Sequence, residues 1–210
     1  MEKDQTIHHV IFQTKFGYSA IAYKKSPFLL TRIVLPKTNN KKLPAFTDKN
    51  KRQDYKPHQK AIIILKLIID YFNGTTVHML RPSWEWMDAG GLTELQKSVY
   101  SATVKIPYGK LSSYKKIAEV INRLNAYRFV GTTLAKNPFP ILIPCHRVIR
   151  SNNTIGQFAG GKNLKIKMIE LERNTVKNCE LCGSVEQKNM KLGNVDEITS
   201  PGRRIDLSQF

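Results

Sequence analysis

The sequence predicts an α/β protein of the α+β type, in which a small N-terminal antiparallel sheet with one helix precedes a mostly helical second domain. Two patterns predict this fold class. Residues 7–35 carry short segments rich in β-branched and aromatic side chains, whereas residues 92–173 carry apolar side chains at helical spacing. A chain of 210 residues, 41% of them hydrophobic, is long enough to bury a core of this size.

The N-terminal domain, residues 1–90, is predicted from three strands and one helix. The Lys-rich, Pro-punctuated residues 36–57 are typical of a solvated loop, with auxiliary contacts to phosphate groups as the alternative. An apolar helix over residues 58–72 is expected to pack against the sheet and to end at Asn73-Gly74. The domain junction is predicted at Arg81-Pro82-Ser83 and Gly90-Gly91. The three predicted strands cover residues 7–14, 16–23 and 28–35.

The second domain, residues 91–175, is predicted to contain four helices. Thr93 and Gln96 have the spacing of a capping box at the start of the first helix, and Ser112 or Ser113 is expected to cap the second. The fourth covers residues 162–173. In the third, over residues 126–136, the predicted core face is Phe129, Val130, Thr133 and Leu134, and the opposite face is Tyr127, Arg128, Gly131, Thr132 and Ala135. The second and third helices are joined by a short turn, which is a helix-turn-helix pattern.

The charge of the chain predicts a polyanionic partner. The formal net charge is +18, and the excess lies in the body of the chain: residues 1–90 carry 15 basic and 7 acidic side chains, and residues 91–175 carry 14 and 4. Nucleic acid is a better candidate for this partner than an anionic membrane surface, and a merely soluble basic protein is the alternative.

Cysteine usage and hydropathy indicate an intracellular protein. The three cysteines form no disulfide framework, and the polar N-terminal residues predict no signal peptide. The apolar run 61–70 is too short to span a bilayer and contains Lys66 and Asp70, so no membrane association is expected. Cys179 and Cys182 are half of a zinc knuckle without a second ligand pair; residues 176–210 are therefore predicted to be a flexible tail, and no metal site is predicted.

The segment Pro144-Cys145-His146-Arg147 is the candidate reactive site. It places a nucleophile, a proton-transfer group and a cation in three consecutive residues, and the adjacent charges are expected to favour the thiolate. The apolar residues 141–143 predict that Cys145 lies at the end of a buried strand. A small core cysteine is the alternative. Glu172 borders the buried stripe of the last helix, where a carboxylate requires a partner.

Residues 92–173 resemble the catalytic domain of the O6-alkylguanine-DNA alkyltransferases, the methylated-DNA–protein-cysteine methyltransferases. The motifs appear in family order and at family spacing over about 80 residues. They are Ile106-Pro107-Tyr108-Gly109, Ser113-Tyr114, Arg128-Phe129-Val130-Gly131, Asn137-Pro138, Ile143-Pro144-Cys145-His146-Arg147-Val148 and Ala159-Gly160-Gly161. Residues 1–90 resemble the family only in architecture, which implies a ribonuclease-H-like sheet with a helix.

The resemblance implies direct reversal of DNA damage. The alkyl group of O6-alkylguanine, and of O4-alkylthymine, would move irreversibly to Cys145 in a single turnover. No cofactor is implied, because the substrate supplies the alkyl group. His146, Glu172 and a water molecule would form a proton relay with Cys145, and Tyr114 would give a proton to the leaving base. The relatives imply a monomer in the cytoplasm or nucleoid of a prokaryote, or in the nucleus of a eukaryote.

The resemblance also implies that double-stranded DNA is bound through the minor groove with the alkylated guanine flipped out. Arg128 would fill the vacated space. The other implied DNA contacts are Lys115, Arg123, Ser151, Tyr127, Gly131 and Thr132. The implied pocket and supporting residues are Asn137, Pro144, Arg147, Phe158, Ala159 and Gly160. Phe158-Ala159 departs from the Tyr-Ser pair of many members, which changes the pocket. The competing interpretations are a non-catalytic module that binds alkylated DNA and recruits other repair factors, and a Cys-His hydrolase unconnected with DNA.

Overall fold

The computed structural model describes residues 6–37, 51–75 and 84–186. Its N-terminal half is a four-stranded sheet in the order β3-β2-β1-β4. The predicted strands are confirmed, with antiparallel pairing of β1 with β2 and of β2 with β3. The strands are β1 (Ile7–Thr14), β2 (Gly17–Lys25), β3 (Phe28–Lys37) and β4 (Lys51–Gln53).

Strand β4 corrects the prediction of an uninterrupted loop over residues 36–57. It pairs in parallel with β1, so the sheet has one parallel neighbour beside its antiparallel strands. A three-residue strand is too short for its side chains to show an alternation of polar and apolar residues. Its pairing depends on backbone groups, which the sequence pattern does not reveal. The lysines at 41, 42 and 49 lie outside the described residues, as do Arg81-Pro82-Ser83 of the predicted junction.

Helix α1 (Gln59–Asn73) covers one face of the sheet, as predicted. The His58 side chain accepts a hydrogen bond from the Lys60 N–H, and Gly74 ends the helix in the left-handed conformation with φ 71°. The buried face of α1 consists of Ala61, Ile64, Ile68, Tyr71 and Phe72.

The second half of the described chain contains four helices, as predicted: α2 (Glu94–Val104), α3 (Tyr114–Val120), α4 (Tyr127–Ala135) and α5 (Lys162–Glu186). The capping box is confirmed, since Thr93 and Gln96 each accept a hydrogen bond from the other's backbone N–H. Ser113 caps α3. A short parallel pair joins β5 (Ser112–Ser113) to β6 (Val148–Ile149).

Phe129 does not lie in the core, where it was predicted. Its side chain is 36% exposed, whereas Val130, Thr133 and Leu134 are buried as expected. A nine-residue helix buries only a narrow stripe, and Phe129 lies at its rim, so the helical period alone could not assign its side.

Residues 141–143 are not a strand. They form a turn with a single bridge between Pro140 and Ile143, and Ile141 has φ 76°. Cys145 therefore begins a one-turn 3-10 helix, Cys145–Arg147, and does not lie at a strand end. Pro140 and Pro144 have no backbone N–H to donate to a neighbouring strand, so they disfavour a strand at this position. A positive φ at a β-branched residue such as Ile141 cannot be predicted from an apolar pattern.

Helix α5 is longer than predicted. The prediction ended it near residue 173 and began a flexible tail at 176, but the helix continues through Cys179 and Cys182 to Glu186. Residues 174–186 contain no proline and several good helix formers, which outweigh the single Gly183. Residues 187–210 of the predicted tail lie outside the described residues.

One continuous core runs through both predicted domains. It extends from Val10 in the sheet to Met168 in α5. Two backbone hydrogen bonds also connect β3 to later parts of the chain: Ile33 N–H donates to Pro138 O in the second domain at 2.8 Å, and Asp88 N–H donates to Leu30 O at 2.8 Å. Within the described ranges, no helix is long and apolar enough to cross a membrane.

Candidate active site

Cys145 is a buried thiol fixed by the turn that precedes it. Its side chain is 5% exposed, and its N–H donates to Ile143 O at 2.7 Å. Asn137 connects both sides of this turn, because its Nδ2 donates to Ile143 O at 2.9 Å and lies 3.2 Å from Cys145 Sγ. Its Oδ1 accepts from Phe139 N–H at 3.0 Å. Asn137 therefore braces the turn and supplies a donor to the sulfur.

The cation that favours the Cys145 thiolate is not one of the two adjacent residues predicted to do so. Burial raises the pKa of Cys145, while the Asn137 hydrogen bond and the Lys165 ammonium act in the opposite direction. The Arg147 guanidinium does not serve this purpose, because it is bound to Glu172 and to Ile106 O. The prediction that His146 and Arg147 charges favour the thiolate is wrong, since Lys165 is the cation that acts on the sulfur.

Lys165 was not identified from the sequence. It is fully buried, and its Nζ donates to Val148 O at 2.6 Å. The ammonium also lies 5.8 Å from the ring centre of Tyr114 and 5.9 Å from that of Phe158. Burial lowers the pKa of Lys165 to about 8, against the opposing effect of Cys145. A buried cation between two aromatic rings therefore forms one wall of the site.

His146 and Glu172 form a buried hydrogen-bonded pair. His146 Nε2 lies 2.6 Å from Glu172 Oε1, and the two side chains are 0% and 1% exposed. Arg147 lies across the same carboxylate: its Nε is 2.9 Å from Oε2, and its Nη2 is 3.0 Å from Oε1. The Gly109 N–H donates to Oε2 at 2.9 Å. Glu172 thus has the partners that a buried carboxylate requires.

The ionisation states follow from these contacts. Burial alone would raise the pKa of Glu172, but the hydrogen bonds and charges of His146 and Arg147 lower it to about 2. Burial lowers the pKa of His146, and the support of Glu172 opposes this only in part. Near neutral pH the pair is therefore a carboxylate beside a neutral imidazole.

The free nitrogen of His146 is positioned to act as a base. Nε2 is bound to Glu172, which makes it the protonated nitrogen of the neutral ring, whereas the buried Nδ1 has no hydrogen-bond partner among the described residues. An unprotonated Nδ1 can accept a proton from the neighbouring thiol through one water molecule. This arrangement comes from the one-turn helix Cys145–Arg147 and replaces the extended geometry predicted for these residues.

The remaining predicted pocket residues differ in burial and in their contacts. Tyr114 is partly buried at the start of α3, and its pKa is raised by burial and by Cys145. A Cβ at Gly156 would lie 2.4 Å from the Tyr114 hydroxyl oxygen, so only glycine permits this approach. A Cβ at Gly160 would lie 2.6 Å from Leu164 Cδ2. Pro144 is buried and Ala159 is exposed.

A basic groove of about 1030 Å³ opens beside this pocket. Seven of the predicted site residues line it: Tyr114, Lys115, Tyr127, Arg128, Gly131, Thr132 and Ser151. Lys136 and Arg150 add two further cations, and no acidic side chain is among the lining residues. Arg123 is exposed but does not line the groove. The site thus combines a buried thiol with a neighbouring surface suited to a polyanion.

The fold and the site define a mixed α/β protein in which a buried cysteine and a hydrogen-bonded His-Glu pair lie beside a basic groove. Residues 94–174 match the family model of the 6-O-methylguanine DNA methyltransferase, DNA binding domain. Through this segment the chain is similar to the methylated-DNA–protein-cysteine methyltransferases.

Curated relatives carry that family name. The Methanosarcina barkeri protein is 44% identical over 85 residues, which are 40% of this chain and 54% of the relative. The inducible Bacillus subtilis protein is 41% identical over 81 residues, 39% of this chain and 45% of the relative. The chain therefore spans about half the length of the curated relatives that it matches.

Solved structures share the fold over most of the chain. Mycobacterium tuberculosis OGT in complex with DNA has a TM-score of 0.61 and 27% identity, and the match covers 80% of this chain and 94% of that one. The O6-methylguanine-DNA methyltransferase of Pyrococcus kodakaraensis has a TM-score of 0.57 at 19% identity, with 79% and 98% covered. The mixed fold of a small sheet and several helices is thus common to all three chains.

Proposed function

We propose that this protein repairs DNA by direct reversal, moving the methyl or larger alkyl group of O6-alkylguanine irreversibly onto Cys145. The observation that carries the proposal is the buried thiol beside an imidazole whose free Nδ1 is backed by an ionised Glu172. A core cysteine without a chemical role would not need this fully buried polar set, which is costly unless each member is partnered.

The transfer step balances within these groups. The thiol proton passes through water to His146 Nδ1, and the sulfur forms a bond to the alkyl carbon as the bond from that carbon to O6 breaks. The electron pair of the broken bond goes to the guanine, which takes a proton from Tyr114 and leaves neutral. Tyr114 regains its proton from solvent, and His146 releases one to solvent. The thioether cannot return to a thiolate, so each chain acts once.

The test of this proposal is the mass of the intact protein after incubation with a duplex that contains O6-methylguanine. We expect one methyl increment per chain, mapped to Cys145 by peptide analysis, and a matching loss of the lesion from the DNA. An unmodified chain that still binds the duplex would overturn the transferase and support a non-catalytic binding module. An unmodified chain that does not bind DNA would overturn both.

We propose that α3 and α4 are the two helices of a helix-turn-helix motif and that the basic groove holds duplex DNA. Lys115, Arg128 and Ser151 line this groove, and residues 121–126 form the turn between the helices. In this proposal the groove contacts the minor groove of the DNA, and the acceptor domain is residues 91–175. Residues 1–90 form its ribonuclease-H-like companion, and the protein acts as a monomer.

Base flipping is proposed because Cys145 is 5% exposed and cannot reach a carbon on a stacked base. Arg128 is exposed at the start of α4 and lines the groove beside Tyr114. It is therefore the side chain that would occupy the space left by the flipped guanine.

Replacing Arg128 by alanine is expected to slow methyl transfer from duplex DNA by about 10- to 100-fold, because unstacking a base costs a few kcal/mol and its compensation is lost. Transfer from free O6-methylguanine base should stay within about twofold of the wild-type rate, since no flipping is needed. Single-turnover assays on both substrates measure the difference. The exposed Arg173, which does not line the groove, provides the matched control in Arg173→Ala. Equal loss on both substrates would contradict the flipping role.

A further inference from the structure

Tyr71 lies inside the proton relay although it belongs to the N-terminal helix α1. Its side chain is fully buried, and its hydroxyl is 3.1 Å from Glu172 Oε1 and 3.1 Å from His146 Nε2. Its ring meets the His146 ring edge-on at a centroid distance of 5.9 Å. The hydroxyl is thus within hydrogen-bond distance of both members of the pair.

The end of α1 is held at this position by its contact with α5. Gly74 closes α1 with φ 71°, and a Cβ there would lie 3.1 Å from Thr175 Oγ1 and 3.4 Å from Leu171 Cδ1. These short distances show that the last turn of α1 lies close to the α5 turn that carries Glu172, and the left-handed backbone at Gly74 favours glycine. Tyr71 therefore reaches the carboxylate across the boundary between the two predicted domains.

The Tyr71 hydroxyl has one proton to donate, and the protonation of His146 decides which neighbour accepts it. The 2.6 Å contact between His146 Nε2 and Glu172 Oε1 is the shortest in the set, so this nitrogen carries a proton and cannot accept one from Tyr71. The single Tyr71 proton is then donated to Glu172 Oε1. Burial and the Glu172 charge raise the pKa of Tyr71 well above its ordinary value, so the proton is retained.

We propose that Tyr71 is a positioning residue of the alkyl-transfer site, whose hydroxyl shares the charge of Glu172 and thereby keeps His146 neutral, with Nδ1 free to accept the thiol proton. The inference rests on the proposed function. Without the Tyr71 proton, the carboxylate concentrates its charge on the His146 Nε2 proton and favours the imidazolium, which cannot act as a base.

Several other groups act on His146, and all remain in place when Tyr71 is changed to phenylalanine. Glu172 and Lys165 face it from α5, Arg147 and Cys145 from its own turn, and Tyr108 contacts the Tyr71 ring from the segment after α2 at 6.3 Å. Burial, Arg147 and Lys165 lower the pKa of His146, whereas Glu172 raises it. Removing the Tyr71 hydroxyl strengthens the Glu172 effect alone, so the pKa of His146 should rise.

The test compares Tyr71→Phe with the full wild-type chain by two measurements. The first is the pH profile of single-turnover methyl transfer: its acid limb should move to higher pH by at least half a unit, with the plateau rate changed by less than about threefold. The second is the ¹⁵N chemical shift titration of His146, which should show the same displacement. In the neutral wild-type ring, Nε2 should carry the proton.

Tyr23→Phe is the matched control, because Tyr23 is equally buried and its hydroxyl is bound to Asp54, far along the chain from the relay. It should lower stability without moving either profile. If the Tyr71→Phe profile keeps its pH position and merely falls at every pH, the residue is only structural and the proposal is overturned. A proton on Nδ1 of the neutral wild-type ring would also overturn it.

The two proposals fail in different ways. If wild-type chains transfer no methyl group, the proposed function fails, while the ¹⁵N titrations of wild type and Tyr71→Phe still decide whether Tyr71 controls His146. If wild-type chains transfer normally and both profiles coincide, only the positioning role fails.

Discussion

Replacing Cys145 by alanine is expected to abolish methyl transfer while duplex binding persists. The thiolate sulfur is the strongest nucleophile of the buried set, and the groove residues do not depend on it. Removal of the thiol leaves the Asn137 contact to Ile143 O in place, so the loss of stability should be about 1 kcal/mol. Intact mass measures transfer, and fluorescence anisotropy with an unmodified duplex should give a Kd within about threefold of wild type.

The chain contains its own matched control for this substitution. The double variant Cys179→Ser/Cys182→Ser removes the other two cysteines and should retain full transfer. A methyl increment that survives in Cys145→Ala, or transfer that disappears in the double variant, would contradict the assignment of the acceptor.

Replacing Glu172 by glutamine should have two large effects. The rate of methyl transfer should fall by about 10²-fold or more, because the imidazolium formed during the reaction loses its carboxylate. Stability near neutral pH should fall by about 3–5 kcal/mol, because the buried Arg147 guanidinium is left without its counter-charge. Glu170→Gln, at an exposed position on the same helix, is the control and should change neither quantity. A rate within threefold of wild type would contradict the relay.

The same substitution should alter the acid sensitivity of the fold. The pKa of Glu172 is about 2 in the folded protein, against 4.5 for an ordinary glutamate. Because the folded value is the lower one, this group stabilises the protein above pH 4.5, and the contribution is lost as the pH falls from 4.5 towards 2. The difference corresponds to about 3 kcal/mol. Urea unfolding at pH 7, 4 and 2.5 should show this loss in wild type and a correspondingly flatter dependence in Glu172→Gln.

The sequence was sufficient to predict the three long strands, the five α-helices and the proximity of His146 to Glu172. Strand alternation and helical spacing depend on local residue types, and the motifs around Cys145 are adjacent in the chain. Asn137 was likewise expected behind the turn, since it directly precedes a proline in a family motif.

Contacts across the fold could not be predicted in the same way. Lys165 lies on a helix where a lysine is ordinarily solvated, and only the packing of α5 against the turn Cys145–Arg147 shows that it is buried. Tyr71 looks like one more apolar-face residue of α1, because its hydrogen bonds are to residues 75 and 101 positions away. The strand predicted at residues 141–143 was wrong for a related reason. Three apolar residues predict burial correctly, but they contain no information about the positive φ of Ile141.

The hydrogen bonds that connect β3 to Pro138 and Asp88 also protect the sheet. β3 is an edge strand, and an exposed edge is a template for pairing with other chains. Ile33 and Leu30 use part of that edge to bind Pro138 and Asp88. The turn that braces Cys145 thus also blocks edge-to-edge association, so displacement of this turn would expose an aggregation-prone strand as well as disturb the site.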